Sequence, residues 1–342
     1  MKKVLVSSLE YSSNSYLDEL FLGMNDMELF GIFDFGGRRG EYSLKDFSIM
    51  GFADVFRKLP LIKKAQNYML DIASECDVVL LSDSSSFNLP LAKKLKKHYP
   101  NKPIYYFILP QVWAWKSWRA KQLEKYCDKL LGIIPFEQKM YATKYEFVGH
   151  PLLDRIERPN QKANGDKIAF MPGSRVSEIR SLMPLFKEVS QKLGKTSTLI
   201  IPPFLKDRVD EIYGDVSGFE LYTDVNEGLV GCEFAYVCSG TATLEVSLKG
   251  IPLVLAYKAK MLDYLIVKSL VNVDFAGLAN IFGQNGGFGQ VHEELLQGDV
   301  RVDKLLSAYK KCDRDEFYKK SSELWSYLGH GSQKRVKEIL RS

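Results

Sequence analysis

Side chains with the types and spacing to do chemistry fall into three clusters along this 342-residue chain. One is Cys238-Ser-Gly-Thr-Ala-Thr-Leu-Glu245, which follows a β-like run and opens with five small residues, Ser239, Gly240, Thr241, Ala242 and Thr243. A helix that starts after a strand presents unpaired N–H groups and the positive end of its dipole, and so attracts anions. The small side chains let a phosphate approach the backbone, and the Thr241 and Thr243 hydroxyls can add hydrogen bonds. Glu245, one turn in, can accept from ribose hydroxyls. The same residues also suit an ordinary strand-to-helix connection with threonine as N-cap.

The second cluster, Pro172-Gly173-Ser174-Arg175, again lies between a strand pattern and a helix pattern. The planar fork of Arg175 can bind two oxygens of a diphosphate at once, although a surface pair with Glu178 would also account for it. Two anion-ready loops in one half of the chain suggest a pyrophosphate held between them. The third cluster centres on Asp83, just past the buried-looking strand Val78–Ser82. A carboxylate there is placed for general-base work, or for a plain turn or N-cap.

Other stretches add candidates. Pro110-Gln-Val-Trp-Ala-Trp-Lys-Ser-Trp118 puts Gln111 beside tryptophans that form either cleft walls or core. His150, before Pro151, either reaches a ligand or caps the linker. Residues 50–70 mix Phe52, Val55, Phe56 and Leu59 with Arg57, Lys58, Lys63 and Lys64, a pattern of an interfacial membrane element or of an amphipathic helix on the core. The four histidines show no metal-ligand spacing, and no metal is expected. No Gly-x-Ser-x-Gly elbow, P-loop or Gly-x-Gly-x-x-Gly follows a strand, which removes hydrolase, kinase and dinucleotide readings.

The elements that must position these residues alternate as strand and helix. Strands are expected at Val4–Ser8, Glu28–Phe33, Val78–Ser82, Ile104–Leu109, Lys129–Ile133 and Glu146–Val148, with helices such as 88–98 and 116–126 between them. A polar linker follows, and the alternation restarts with Lys167–Met171, Thr198–Ile201, Phe219–Tyr222, Phe234–Cys238 and Leu253–Tyr257. The fold class is α/β: two Rossmann-like domains facing across a cleft, over 1–155 (completed by a C-terminal helix in 320–342) and 156–319. With 47 Lys+Arg against 42 Asp+Glu the net charge is +5, which suits an anionic substrate or membrane surface but not nucleic acid. The scattered cysteines and the lack of any long apolar run point to a cytoplasmic protein without a membrane span.

Together these stretches resemble the lipid A disaccharide synthase family, glycosyltransferases of the GT-B type, over nearly the whole chain. The resemblance rests on Pro110-Gln-Val-Trp-Ala-Trp115, Pro135-Phe-Glu137, Val148-Gly-His-Pro-Leu152, Pro172-Gly-Ser-Arg175 with Glu178-Ile179, and Ser239-Gly-Thr-Ala-Thr-Leu-Glu245. Asn280 matches the asparagine of a family Pro-Asn segment, with Ala279 in place of the proline. The resemblance implies an inverting enzyme that joins UDP-2,3-diacylglucosamine to 2,3-diacylglucosamine 1-phosphate, making a β-1,6 disaccharide and UDP without a cofactor. It casts Asp83 as the essential carboxylate, Arg175 as the essential arginine, and Glu245 with 239–243 as the UDP site. Glu10 matches the glutamate of an N-terminal family motif, but Leu9, Ser13 and Asn14 replace its glycines and final aspartate. The same resemblance implies a peripheral protein on the inner face of the inner membrane, and allows a homodimer. A UDP-sugar epimerase, another lipid glycosyltransferase, and a silent UDP-sugar-binding module are the alternatives.

Overall fold

The computed structural model describes residues 1–36, 38–42, 47, 52–159, 163–258 and 274–342, without the side chains of 38, 39 and 52–58. These residues form two compact units, Met1–Arg155 with Leu328–Ser342, and Ile156–Tyr327.

In the first unit the chain runs β1 (Lys2–Ser8), α1 (Tyr11–Phe21), β2 (Met27–Ile32), a short hairpin β3 (Asp34–Phe35) and β4 (Arg38–Arg39), and α2 (Phe52–Ile72). Then come β5 (Val78–Ser82), α3 (Ser85–His98), β6 (Ile104–Phe107), α4 (Arg119–Tyr126), β7 (Lys129–Gly132) and β8 (Tyr145–Phe147). Six strands make a parallel sheet in the order β2-β1-β5-β6-β7-β8. Every residue of β5, Val-Val-Leu-Leu-Ser, is buried. That is the mark of a parallel strand covered by helices on both faces. β6 stops at Phe107, short of the expected Leu109, because Ile108 turns the backbone with φ +61°.

The second unit repeats the plan with β9 (Lys167–Met171), α5 (Val176–Leu193), β10 (Ser197–Ile200), β11 (Glu220–Tyr222), β12 (Cys232–Cys238), α6 (Thr241–Leu248) and β13 (Leu253–Tyr257). It continues with α7 (Leu278–Gly286), β14 (Glu293–Leu296), α8 (Val302–Lys311) and α9 (Arg314–Leu328). Its sheet is also parallel, in the order β11-β10-β9-β12-β13-β14. β14 was not foreseen: its Glu-Glu-Leu-Leu sequence carries charge where a strand pattern would carry branched residues, as an edge strand tolerates.

The final helix α10 (Ser332–Arg341) belongs to the first unit. Arg341 grips Asp26 with Nε and Nη2 at 2.9 and 3.3 Å, and Asp154 accepts from the N–H groups of Gly331 and Gln333. The return to this unit comes at Leu328 rather than near 320. Ser321 and Trp325 still donate to the carbonyls of Ser247 and Leu248, which keeps α9 in the second unit. All five cysteines are free thiols, and four of them are buried.

Candidate active site

Both sheets reverse their order of addition once, and the chemistry-bearing loops lie at those two points. In the first sheet the chain leaves β1 toward β2 and later returns to β5 on the other side, with Ser8 and Ser82 in register. Adjacent strands whose connections diverge leave a crevice beyond their carboxyl ends, the usual ligand position in such sheets.

The loops after β1 and β5 are built alike. Asn14 donates to the carbonyls of Ser8 and Glu10 at 3.0 and 2.7 Å and accepts from the Asp34 N–H. Asn88 donates to the carbonyls of Ser82 and Asp83 at 3.0 and 2.9 Å and accepts from the Ser7 hydroxyl. These buried amides satisfy carbonyls that the strand ends leave open. Sequence reasoning overlooked both. The signal was present: Ser8-Leu-Glu-Tyr-Ser-Ser-Asn14 and Ser82-Asp-Ser-Ser-Ser-Phe-Asn88 share serine, serine and asparagine at the first, fifth and seventh places.

Asp83 and Ser84 both adopt left-handed backbone, φ +51° and +38°. Tyr106 and Asn88 hold the Asp83 carbonyl, and the Asp83 N–H donates to Ile108 O. The strain is thus fixed from several sides, as is common at working sites. The Asp83 carboxylate accepts from the Ser84 N–H at 2.8 Å, and the Ser84 hydroxyl donates to Glu10 at 3.2 Å. Burial pushes the Asp83 carboxyl above its ordinary range; the Ser84 N–H opposes this and the Glu10 charge adds to it. Glu10, exposed at the N-cap of α1, and Asp83 therefore belong to one acidic site.

Gln111 is exposed in the loop after β6. Trp113 packs edge-on against Phe136 at 5.2 Å, whereas Trp115 and Trp118 are 40% and 55% exposed. His150 is buried, and its Nδ1 accepts from the Leu152 N–H at 3.2 Å. Burial lowers the imidazole to about 3, so it is neutral and caps the short helix Pro151–Asp154.

In the second sheet the corresponding point lies between β9 and β12. A cavity of about 530 Å³ opens there, lined by Gly173, Ser174 and Arg175 from one loop and by Ser239, Gly240, Thr241, Ala242 and Glu245 from the other. Gly240, at φ +154°, is open to the point that a Cβ would meet no protein atom within 4 Å. Gly173, at φ +101°, is the opposite case, since a Cβ would lie 3.0 Å from Glu178 and 3.1 Å from the Cys238 sulfur. Arg175 has a side chain 75% exposed, and its Nη1 donates to Glu178 at 2.8 Å. Glu178 is buried, so the ion pair anchors one edge of the guanidinium to the cavity wall and keeps it cationic.

Two residues are placed otherwise than their type suggested. Thr243 is fully buried and its hydroxyl donates to Gly240 O at 2.8 Å, so it braces the loop instead of offering a bond to a ligand. Asn280 is fully buried too. Its carbonyl oxygen accepts from the N–H groups of Val291 and His292, and its amide donates to His292 O and Glu294. That amide is consumed inside the protein. Glu294, which sequence reasoning did not single out, gathers the N–H groups of Ala276 and Gly277, while Ser239 donates to Ala276 O. Asn280 and Glu294 thus support the cavity rim from behind. Among the described residues no group of three or more His, Cys, Asp or Glu could hold a metal ion.

The described residues thus hold an acidic crevice in one sheet and an anion-ready cavity in the other. The sequence matches the model of the lipid-A-disaccharide synthetase family over residues 4–338. It is 48% identical to the lipid-A-disaccharide synthase of Helicobacter pylori (strain ATCC 700392 / 26695), covering 98% of this chain and 97% of that one. To the synthase of Campylobacter jejuni (strain RM1221) it is 42% identical, with 99% of each covered. Among solved structures, MurG of Acinetobacter baumannii aligns with a TM-score of 0.60 at 11% identity over 100% of this chain and 99% of its own. A UDP-GlcNAc 2-epimerase from Neisseria meningitidis bound to UDP-GlcNAc gives 0.63 at 12% over 100% of both. The structural likenesses show the fold alone, that of GT-B glycosyltransferases. The near-complete family match and the close relatives settle the lineage: the chain belongs to the lipid-A-disaccharide synthetase family.

Proposed function

We propose that this chain is the inverting glycosyltransferase that condenses UDP-2,3-diacylglucosamine with 2,3-diacylglucosamine 1-phosphate. The product is the β-1,6-linked lipid A disaccharide 1-phosphate, with UDP released. The observation that carries the reading is that the two switch points have opposite chemistry: Glu10 and Asp83 at one, Arg175 and a bare helix start at the other. Asp83 takes the proton of the acceptor's 6-hydroxyl as that oxygen attacks the anomeric carbon. The bond from that carbon to the UDP oxygen breaks on the opposite face, so the centre inverts. Arg175 and the N–H groups at the start of α6 receive the negative charge on departing UDP, with Glu245 placed for the ribose. This assignment needs no metal. Purified protein supplied with both diacyl sugars should release UDP and a disaccharide identified by mass spectrometry, equally with and without EDTA. Absence of that product sinks the reading.

Both substrates carry acyl chains, so the protein must dock on a bilayer. Among the described residues no helix is long and apolar enough to cross a membrane. The second half of α2 is spoken for: Ala65 and Met69 are buried, and Leu61 and Ile62 pack on the core. The first half holds Phe52, Val55 and Phe56, whose side chains lie outside the described residues, and Leu59, 50% exposed beside Lys63 and Lys64. Docking through this end on an anionic inner-membrane face fits the basic surplus. Replacing Phe52, Phe56 and Leu59 by serine should abolish co-sedimentation with anionic vesicles; unaltered pelleting refutes this role.

A further inference from the structure

Arg119, the first residue of α4, has no part in the mechanism above, yet it stands beside the acidic site. Its Nη1 donates to the Ser85 hydroxyl at 2.7 Å. Ser85 opens α3, and its Cα lies no more than about 7 Å from that of Asp83. The Arg119 Nε is buried without a hydrogen-bond partner. The guanidinium lies 5.4 and 5.7 Å from the ring centres of Trp115 and Trp118, and Lys116 Nζ sits 4.0 Å over the Trp115 ring. Among the described residues neither Lys116 nor Arg119 has a carboxylate partner. No side chain caps α3, whose N-terminus faces the same loop region through Ser85.

A half-buried cation with an orphaned donor and, among the described residues, no counter-charge is costly as it stands. An anion meeting the outer nitrogens of the guanidinium would supply the missing counter-charge. Lys116 is held at φ +52° in the loop that carries the tryptophans, which adds a second cation to the first. Two positive charges match the near-double charge of a phosphomonoester better than the single charge of a phosphodiester headgroup. The Trp115 and Trp118 rings beside the cations hold them in place through cation–ring contacts.

We infer that Arg119 and Lys116, with the first amides of α3, form a phosphomonoester subsite that holds the acceptor's 1-phosphate while its 6-hydroxyl reaches Asp83. This rests on the glycosyltransferase reading and adds the group by which the acceptor is selected.

The experiment compares kcat/KM for 2,3-diacylglucosamine 1-phosphate and for its dephosphorylated form in the parent, Arg119→Gln and Lys116→Gln. The parent should prefer the phosphorylated acceptor by about 10²-fold or more, since a site built for a polar group rejects the analogue lacking it. Arg119→Gln should raise KM for the phosphorylated acceptor, leave KM for the UDP-sugar unchanged, and shrink the preference to within about tenfold. Lys116→Gln, at an exposed side chain, should shrink it in the same direction and decides the matter if Arg119→Gln does not fold. Undiminished preference in the folded variants overturns the inference. So does loss of binding to phosphatidylglycerol vesicles with preference intact, which would assign the cations to a headgroup. A parent inactive with both acceptors overturns the glycosyltransferase reading instead, and this subsite with it.

Discussion

Asp83→Asn should lower kcat by roughly 10²–10⁴-fold while UDP binds as before, the range expected for loss of a general base. The substitution is conservative where structure is concerned. The carbonyl contacts from Tyr106 and Asn88 involve the backbone and survive, and an asparagine oxygen can still accept the Ser84 N–H. Asparagine also tolerates the left-handed conformation observed at this position. Burial penalises the ionised carboxyl, so the native state holds its proton more tightly than the unfolded chain. Above that raised pKa the charged form costs stability, and the uncharged amide should melt no lower than the parent at pH 7. An activity loss with an unchanged melting temperature separates chemistry from folding. The pH profile supplies a second arm. The rate should fall as pH drops through the raised pKa, because only the ionised carboxylate accepts the proton. Glu10→Gln removes the neighbouring charge that helps raise it, so the acidic limb should move to lower pH. Turnover of Asp83→Asn at the parent rate would end the assignment.

Arg175→Gln should be the other large loss, about 10²–10³-fold in kcat by analogy with removing one preorganised donor from a developing oxyanion. It should also weaken UDP binding. The reason lies in Glu178, buried in the cavity wall and paired with Arg175 at 2.8 Å. Without its partner that carboxylate would face the diphosphate proposed for this cavity. Arg175→Gln combined with Glu178→Gln should therefore recover UDP affinity relative to the single variant but not kcat. Arg175→Lys should rescue little, since a point charge cannot both pair with Glu178 and reach two phosphate oxygens. Titration calorimetry with UDP and single-turnover kinetics measure the two effects separately. A double variant that binds UDP no better than Arg175→Gln would show that Glu178 plays no electrostatic part.

The two sheets were legible because parallel strands buried on both faces are written as unbroken apolar runs, such as Val78–Leu81 and Phe234–Val237. β14 and α1 were not. The first is an acidic edge strand, and the second opens with Tyr11-Ser-Ser-Asn-Ser, whose helical form depends on Asn14 and Ser13 bonding back to Glu10 and Ser8. The loops bearing Asp83, Arg175 and Gly240 could be placed from residue type and position after a strand. Whether a polar side chain in such a loop faces a ligand or the protein could not. Thr243 and Asn280 carry the right groups for ligand contact, and only the packed structure shows them fully enclosed. Glu294 presents the converse case, an ordinary acidic residue that gains its purpose when β14 brings it to Ala276 and Gly277.

The chain visits its first unit twice, at Met1–Arg155 and again at Leu328–Ser342, with Ile156–Tyr327 inserted between. During synthesis the inserted portion therefore has all its residues outside the ribosome before its host does. Until the segment carrying Arg335 and Arg341 emerges, Val148 O and Asp26 lack the donors that engage them in the finished protein. The half bearing the acidic loops is begun first and completed last.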